Sequence, residues 1–148
     1  MEPQWEFGEF VVTTDSSWLN EDLIHKVLSE SYWANGIPRE VVARSIRNSL
    51  CFAVMRGRTQ VGFARVITDY ATFAYLADVF ILDEYRGRGL GRFLMQCIMQ
   101  HPQLQGLRRW MLATRDAHAL YAQFGFKRLA NPDRFMEVHN PDVYKPKT

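Results

Sequence analysis

Residues 84–94 are the part of this chain whose composition and spacing are best suited to bind a ligand. They read EYRGRGLGRFL, with Gly87, Gly89 and Gly91 each next to an arginine. An apolar run typical of a strand precedes them, and apolar residues at helical spacing follow. The first N–H groups of a helix lack internal acceptors, and glycine lets the backbone come close to a ligand. The segment therefore predicts an anion site, most naturally for a phosphate or pyrophosphate.

Three phosphate-binding patterns can be compared with this spacing. The Walker pattern ends in G-K-[ST], which the chain lacks, so nucleotide hydrolysis of that kind is not expected. The dinucleotide pattern G-x-G-x-x-G lies near the first strand of a βαβ unit, whereas these glycines come late in the chain as G-x-G-x-G. A third pattern, R/Q-x-x-G-x-G/A, is matched by Arg86, Gly89 and Gly91. A glycine-rich turn with solvated arginines is the plain structural alternative.

A second motif, AHALYAQFGF at residues 117–126, lies one predicted strand further along the chain. It is similar to the pattern A-x-x-L-Y-x-x-x-G-F near the C-terminus of the GNAT family of N-acetyltransferases. The segment VFILDEYRGRGLGRFLM resembles the acyl-CoA-binding motif of the same family. Because both motifs occur in the family's order, the chain resembles a GNAT N-acetyltransferase over nearly its whole length.

The resemblance implies acetyl-CoA as a cosubstrate. In the family, loop amides hold the pyrophosphate of coenzyme A, the preceding strand binds the pantetheine arm, and a β-bulge opens the slot for that arm. Carried over to this chain, the coenzyme-binding residues are Val79, Phe80, Ile81, Arg86, Gly87, Arg88, Gly89, Leu90, Gly91 and Arg92. Many members have an asparagine seven residues before the motif tyrosine, where this chain has Thr114, which is shorter but can still form a hydrogen bond.

The resemblance also implies two catalytic residues. Tyr121 is the candidate general acid, because a phenol within hydrogen-bond reach can protonate the thiolate that an amine expels from a thioester. Its alternative role is packing. Asp78, in the apolar strand YLADVFIL, is the candidate general base, and a structural ion pair with an arginine is the equal alternative. Asp69 and water are further candidates for the base.

The acceptor amine cannot be read from the sequence. In the family, the first two helices, their connection and nearby loops shape the acceptor groove, which on this chain implies Tyr32, Trp33, Tyr70 and Phe73. Aromatic residues with few acids favour a small, partly apolar amine or a narrow peptide end. The commoner alternative is that these aromatic residues only cap the core.

Apolar periodicity predicts the elements that would position these residues. Strands are predicted at residues 5–14, 73–82, 107–114, 126–129 and 135–138, with a hairpin turning at residues 56–59. Helices are predicted after residues 15–17, from Pro38, after the glycine segment, and before Gly125. The order β-α-α-β-β-β-α-β-α-β-β predicts an α/β fold of the α+β type, a GNAT-like single domain with a mixed, mostly antiparallel central sheet flanked by helices.

The composition fits one globular domain over residues 1–148, with 47% hydrophobic and 23% charged residues. A net charge of only +2 argues against a nucleic-acid binder. No apolar run approaches a membrane span and no signal-peptide pattern is seen, so a cytoplasmic protein is expected. Cys51 and Cys97 are expected to be reduced and buried. No metal site is expected, because the cysteines and the four histidines lack ligand spacing.

These observations favour an N-acetyltransferase that moves an acetyl group from acetyl-CoA to a primary amine, of a small molecule or a peptide, by direct attack in a ternary complex. The alternative from a different class is a catalytically silent acyl-CoA-binding sensor or interaction module on the same fold. No nucleic-acid or membrane partner is expected, and a homodimer is left open.

Overall fold

The computed structural model of this protein describes residues 2–146, and one six-stranded sheet forms its centre. The strands lie in chain order, and each pairs antiparallel with the next except the last two, which are parallel. They are β1 (Gln4–Phe7), β2 (Phe10–Thr13), β3 (Leu50–Arg56), β4 (Thr59–Thr68), β5 (Phe73–Ile81) and β6 (Arg109–Leu112). The predicted mixed, mostly antiparallel sheet is confirmed.

Four α-helices flank this sheet. They are α1 (Glu21–Ser29), α2 (Arg39–Arg47), α3 (Leu90–Gln100) and α4 (His118–Ala122). Residues of α3 and α4 share one apolar core with the sheet, and residues of α1 and α2 share a second core that contains Phe63 and Phe80. The apolar run of β5 predicted cover on both faces, and the two cores provide it. None of the helices within residues 2–146 has the length and apolar character needed to cross a membrane.

Local signals start the helices, although the first begins later than predicted. Residues 15–17, predicted as its cap, instead belong to a 3-10 turn that Asp15 caps, and α1 begins at Glu21. The Asn20 side chain accepts a hydrogen bond from the Leu23 amide at 3.0 Å and so caps α1. Pro38 directly precedes α2. The start of α3 follows Gly89, so the glycine segment lies between the end of β5 and a helix N-terminus, as its sequence predicted.

The sheet splits between β5 and β6. These strands pair only over residues 73–76 and 109–112. Beyond that point β5 carries a bulge at Asp78, where its register with β4 shifts and φ is 56°. A bulge bends a strand and increases its twist, so β5 diverges from β6 and leaves a slot between them. This is the bulge that the family resemblance implies.

Two predictions about the strands are wrong. Residues 5–14 form a hairpin of two strands, because the chain reverses at Gly8, whose φ is 59°. The closing strands at residues 126–129 and 135–138 do not form, and within residues 123–146 the only helix or strand is a 3-10 turn at Pro132–Arg134. Residues with high β-propensity form a strand only when a neighbouring strand offers hydrogen bonds and a packed face.

Candidate functional site

The glycine segment forms the turn that leads from β5 into α3. Gly87 and Gly89 have φ values of 77° and 81°, a left-handed conformation that costs other residues about 1–2 kcal/mol. Gly91 lies in the first turn of α3 outside that region. A Cβ added to Gly91 would meet only the Leu120 side chain, at 3.9 Å. Conformation therefore requires glycine at two of the three positions, and only an approaching ligand would require it at the third.

The start of α3 offers backbone donors to an anion. The first intrahelical hydrogen bond runs from the Phe93 amide to the Gly89 carbonyl at 3.0 Å, so the amides of residues 90–92 have no acceptor within the helix. No side chain caps this helix. Together with the helix dipole, these amides form a site that suits a phosphate group.

The three arginines of the segment have different surroundings. Arg86 folds back on its own loop, with Nε donating to the Ile81 carbonyl at 3.2 Å and Nη1 lying 3.1 Å from the Asp83 carboxylate. Arg88 lies over a tyrosine ring, 5.3 Å from its centroid. Arg92 is exposed in the first turn of α3, and no carboxylate of residues 2–146 pairs with it. Arg92 therefore has the charge most available to a ligand.

The slot between β5 and β6 starts next to this site. Past residue 76, no strand of the described chain pairs with the β6 side of β5, so that side of residues 79–81 is open to a ligand apart from the Ile81 carbonyl, which accepts the hydrogen bond from Arg86 Nε. The Phe80 side chain is buried in the second core. Thr114 follows β6, and its Oγ1 accepts a hydrogen bond from the Ala117 amide at 3.0 Å. The Thr114 hydroxyl thus closes the turn before α4.

Tyr121 lies on α4, the helix that meets the start of α3 through Leu120. Its side chain is buried, and its ring packs edge-on against Phe126 with a centroid distance of 6.1 Å. Burial raises the pKa of Tyr121 above its usual value, and the Tyr32 and Asp116 side chains raise it further. The phenol therefore stays protonated at neutral pH and is able to donate a proton.

Asp78, at the bulge, is held by side chains from two other elements. Its Oδ2 accepts a hydrogen bond from Arg65 Nε at 2.8 Å, and its Oδ1 accepts one from Trp33 Nε1 at 2.8 Å. The Asp78 and Arg65 side chains are only 9% and 16% exposed. Arg65 also donates to the Ser49 hydroxyl at 3.1 Å. Both carboxylate oxygens are therefore engaged, as a structural acid requires, although each keeps a further lone pair.

The Asp69 side chain stabilises the turn between β4 and β5. Its Oδ2 accepts a hydrogen bond from the Thr72 hydroxyl at 2.6 Å, and its Oδ1 accepts three more from the amides of residues 71–73 at 2.8–3.1 Å. These hydrogen bonds, first the one from the Thr72 side chain, lower the pKa of Asp69 well below its usual value. A carboxylate with a lowered pKa is a weak base. Asp69 is therefore poorly suited to accept a proton from an amine.

One of the four aromatic residues predicted at the acceptor groove contacts the bulge. Trp33 follows α1 and donates to Asp78, and Tyr32 lies edge-to-face on Trp33 with a centroid distance of 5.2 Å. Tyr70 and Phe73 lie at the β4–β5 turn and at the start of β5. Within residues 2–146, neither of them stacks on Tyr32 or Trp33.

Two arginines near the slot, Arg65 and Arg115, were not predicted from the sequence as site residues. Arg65 is the one charged residue of β4, as Asp78 is of β5. Because a lone charge in an apolar strand needs a partner, these two residues could have been paired from the sequence. Arg115 lies in the loop before α4 with its guanidinium 3.8 Å from the centre of the Tyr32 ring. A loop arginine carries no sequence signal of this kind.

Within residues 2–146, no group of three or more His, Cys, Asp or Glu side chains has an arrangement that could hold a metal ion. Cys51 and Cys97 are free and buried, as predicted. Burial raises the pKa of each thiol to about 12, so neither is an activated nucleophile.

Comparisons with known proteins agree on one family. Residues 47–128, more than half of the chain, match a family model described as "Acetyltransferase (GNAT) domain". A protein of Gibberella zeae named "Putative acetyltransferase" is 36% identical over 142 residues, covering 80% of this chain and 79% of that protein.

Solved structures are similar to this fold as well. A crystal structure from Xanthomonas campestris, described as a "putative acetyltransferase belonging to the gnat family", is 52% identical with a TM-score of 0.91, covering 93% of this chain and 97% of that one. A Clostridium acetobutylicum protein, described as a "predicted acetyltransferase with acetyl-CoA", shares the fold at 12% identity, with a TM-score of 0.61 and coverage of 82% and 92%.

Proposed function

Because this chain belongs to the GNAT family of acetyltransferases, we propose that it moves an acetyl group from acetyl-CoA to a primary amine by direct attack in a ternary complex. The observation that carries the proposal is the end of β5–β6 pairing at residue 76, with the free amides of α3 following β5 and the buried phenol of Tyr121 following β6 along the chain. We place the activity in a single domain over residues 1–148 of a cytoplasmic enzyme with no nucleic-acid or membrane partner.

In this proposal the substrate acetyl-CoA lies along the predicted coenzyme-binding residues. Its pyrophosphate accepts hydrogen bonds from the amides of residues 90–92, and Arg92 adds positive charge there. Its pantetheine arm lies along the side of residues 79–81 that no strand of the described chain covers. Arg86 supports the loop through Ile81 and Asp83, and Thr114 supports the opposite wall. No metal ion takes part.

The chemistry needs two proton movements and one bond exchange. The amine nitrogen attacks the thioester carbonyl carbon, a C–N bond forms and the C–S bond breaks, and the sulfur leaves as a thiolate. Tyr121 donates its phenolic proton to that thiolate. Burial raises the pKa of Tyr121, which keeps the phenol protonated at neutral pH but makes it a weaker acid, so the transfer depends on the thiolate lying within hydrogen-bond reach. A backbone N–H of β5 stabilises the oxyanion.

Removal of the proton from the amine has two candidate routes, Asp78 and water. Asp78 is at the bulge, next to the aromatic pair that we assign to the acceptor groove. Its two oxygens already accept hydrogen bonds from Arg65 and Trp33, which favours a positioning role. An Asp78→Asn variant separates the routes, because loss of a base flattens the acidic limb of the pH profile of kcat, whereas loss of a positioning residue lowers kcat without changing that limb.

An amine panel with detection of released thiol tests the proposal. The enzyme should release coenzyme A with at least one primary amine, and Tyr121→Phe should lower kcat roughly 100-fold, within the range for general acids. Phe135→Tyr is a control that exchanges the same two residue types away from the site, and it should leave turnover unchanged. Unchanged turnover in Tyr121→Phe would remove Tyr121 from the mechanism.

A catalytically silent acyl-CoA-binding module is the second candidate. The observation that favours it is that both carboxylate oxygens of Asp78 already accept a hydrogen bond, as in a structural ion pair. Calorimetry with acetyl-CoA distinguishes the outcomes: binding without turnover on any amine supports the module, and no binding at millimolar ligand overturns both candidates.

A further inference from the structure

The connection between α1 and α2 contacts both sides of the slot. On the β5 side, Trp33 Nε1 donates to Asp78 Oδ1 at 2.8 Å. Tyr32 packs edge-to-face on Trp33, and the guanidinium carbon of Arg115 lies 3.8 Å from the centroid of the Tyr32 ring. Arg115 follows β6, which ends at Leu112. A series of contacts therefore joins the two strands, and Arg115 is its last member on the β6 side.

Tyr32 also lies near the candidate general acid. The pKa of Tyr121 is raised first by burial and then by the side chains of Tyr32 and Asp116. Electrostatic effects decrease with distance, so these two side chains lie close to the Tyr121 phenol. Arg115 contacts the Tyr32 ring and directly precedes Asp116. It is therefore beside the place where, in the proposed reaction, the amine meets the thioester.

The charge of Arg115 is available to a ligand. Its side chain is exposed, and no carboxylate of residues 2–146, that of the adjacent Asp116 included, forms an ion pair with it. By contrast, Arg65 and Asp78 neutralise each other across 2.8 Å. An aromatic ring attracts a guanidinium through its face and does not accept the N–H donors at the guanidinium edge as a carboxylate does. Arg115 is thus a cation that is held in place and is not neutralised.

A guanidinium held in this way suits a carboxylate. Its N–H groups form a rigid fork that matches the two carboxylate oxygens, and such charge-assisted hydrogen bonds are stronger than neutral ones. Contact with the Tyr32 ring already restricts the side chain, so less conformational entropy is lost when a ligand binds. A carboxylate carries one negative charge, which a single arginine balances, whereas a phosphate group carries up to two. The charge of Arg115 therefore favours a carboxylate over a phosphate.

We propose that the acceptor is a primary amine that also carries a carboxylate, and that Arg115 binds this carboxylate and so determines specificity. The inference rests on the proposed acetyl transfer and names the class of its acceptor. The carboxylate binds the guanidinium, the rest of the acceptor contacts the half-exposed rings of Tyr32 and Trp33, and the amine faces the thioester. Free amino acids belong to this class.

Acetylation of matched acceptors tests the inference. Each set contains an amino acid, its carboxamide and its phosphonate analogue, with the amine on the α, the β or the terminal carbon. For at least one set, the wild type should have a kcat/KM roughly 10- to 100-fold higher for the acid than for the carboxamide, the range expected for hydrogen bonds to a charged group. Amine reactivity opposes this preference, because a nearby carboxylate keeps the amine protonated.

Two results with the wild type would overturn the inference and leave the acetyl transfer standing. One is an equal kcat/KM for acid and carboxamide in every set. The other is a preference for the phosphonate over the acid, which would assign the site to phosphate-like groups.

Variants of Arg115 test whether this residue causes the preference. Arg115→Gln should bring the ratio of acid to carboxamide close to one, and Arg115→Lys, which keeps the charge without the fork, should retain part of it. Arg58→Gln removes another exposed arginine, in the turn between β3 and β4, and should keep the full ratio. The Kd of coenzyme A should be the same in Arg115→Gln and wild type. A role of Arg115 in holding the loop alone would lower stability in Arg115→Gln and leave the ratio unchanged, which would overturn the inference.

Calorimetry separates this inference from the proposed reaction. If no amine of the sets is acetylated, the proposed function fails, and titration of the same compounds into protein saturated with coenzyme A decides the inference. A Kd that is about tenfold lower for an acid than for its carboxamide, with the difference lost in Arg115→Gln, supports a carboxylate site. Equal Kd values, or no binding of any acid at millimolar concentration, overturn it.

Discussion

The two sides of the slot are built from different parts of the chain. On the α3 side, the anion site consists of backbone: free amides of residues 90–92 and two left-handed glycines. On the α1 side, the acceptor groove that we propose consists of side chains that meet from distant positions, with Trp33 and Arg65 both bonded to Asp78. The α3 side should tolerate most substitutions except those of its glycines. The α1 side should be sensitive to substitution of any residue that contacts Asp78.

Loss of Arg65 should have the largest effect on stability. Arg65→Met leaves the nearly buried carboxylate of Asp78 without its ionic partner, and breaking such a pair costs about 3 kcal/mol. Urea unfolding measures the loss. The double variant Arg65→Met/Asp78→Asn should recover most of it, because no unpaired charge remains. If the free energy of unfolding of Arg65→Met equals that of the wild type within error, the stability of the acceptor side does not depend on this contact.

The glycines of the backbone side should respond in opposite directions. Gly89→Ala forces a side chain into a left-handed conformation and should lower the free energy of unfolding by about 1–2 kcal/mol. Gly91→Ala has space at Leu120 and should raise it by roughly 0.5–1 kcal/mol.

The affinity for coenzyme A tests whether a ligand approaches the backbone of Gly91. If the backbone of this residue approaches the pyrophosphate, Gly91→Ala should weaken binding in calorimetry while it stabilises the free protein. Equal binding by Gly91→Ala and wild type would show that no ligand comes close at this position.

Trp33→Phe should have a smaller effect, confined to the acceptor side. The change removes the N–H donor to Asp78 and keeps an aromatic ring, at a cost of about 1 kcal/mol, or roughly fivefold in an equilibrium constant. We expect KM for the amine to rise while the Kd of coenzyme A stays the same. A parallel loss of coenzyme binding would contradict the separation of the two sides.

The smallest effect should be the pH dependence that Asp69 contributes. Its pKa is lowered in the folded protein, so its stabilisation is present above its unfolded pKa of about 3.9 and is lost as the pH falls further. Asp69→Asn should therefore flatten the acid limb of stability against pH in thermal unfolding. Thr72→Val, which removes the first of its hydrogen bonds, should flatten it in part. An acid limb unchanged in both variants would rule this contribution out.

The same difference between the two sides explains what the sequence allowed us to predict. The strand, glycine turn and helix around residues 84–94 were predictable because their signals are local. The sheet and its flanking helices followed from periodicity. An ion pair of Asp78 with an arginine was one of two equal alternatives, but Arg65 and Trp33 were not identified as its partners, since they are far from it in sequence. The hairpin at Gly8 was missed because one glycine reversed an otherwise strand-like run.

The C-terminal region was mispredicted for another physical reason. Residues 135–138 have the composition of a strand, and composition says nothing about whether a neighbouring edge is within reach. Tyr121, by contrast, was located on its helix from a local motif, and its side chain is buried against Phe126.

The short parallel ladder of β6 has a consequence for how the molecule opens. β1 to β5 form a run of consecutive antiparallel pairs, whereas β6 joins the sheet through four residue pairs after the crossover helix α3. Regions with few paired residues exchange their amide hydrogens through local openings that cost less than global unfolding. Hydrogen exchange should therefore be faster at residues 109–112 than in β3 and β4. The slot therefore lies between β5, which we expect to exchange slowly, and β6, which we expect to open first. A ligand that contacts both strands should slow exchange mainly in β6.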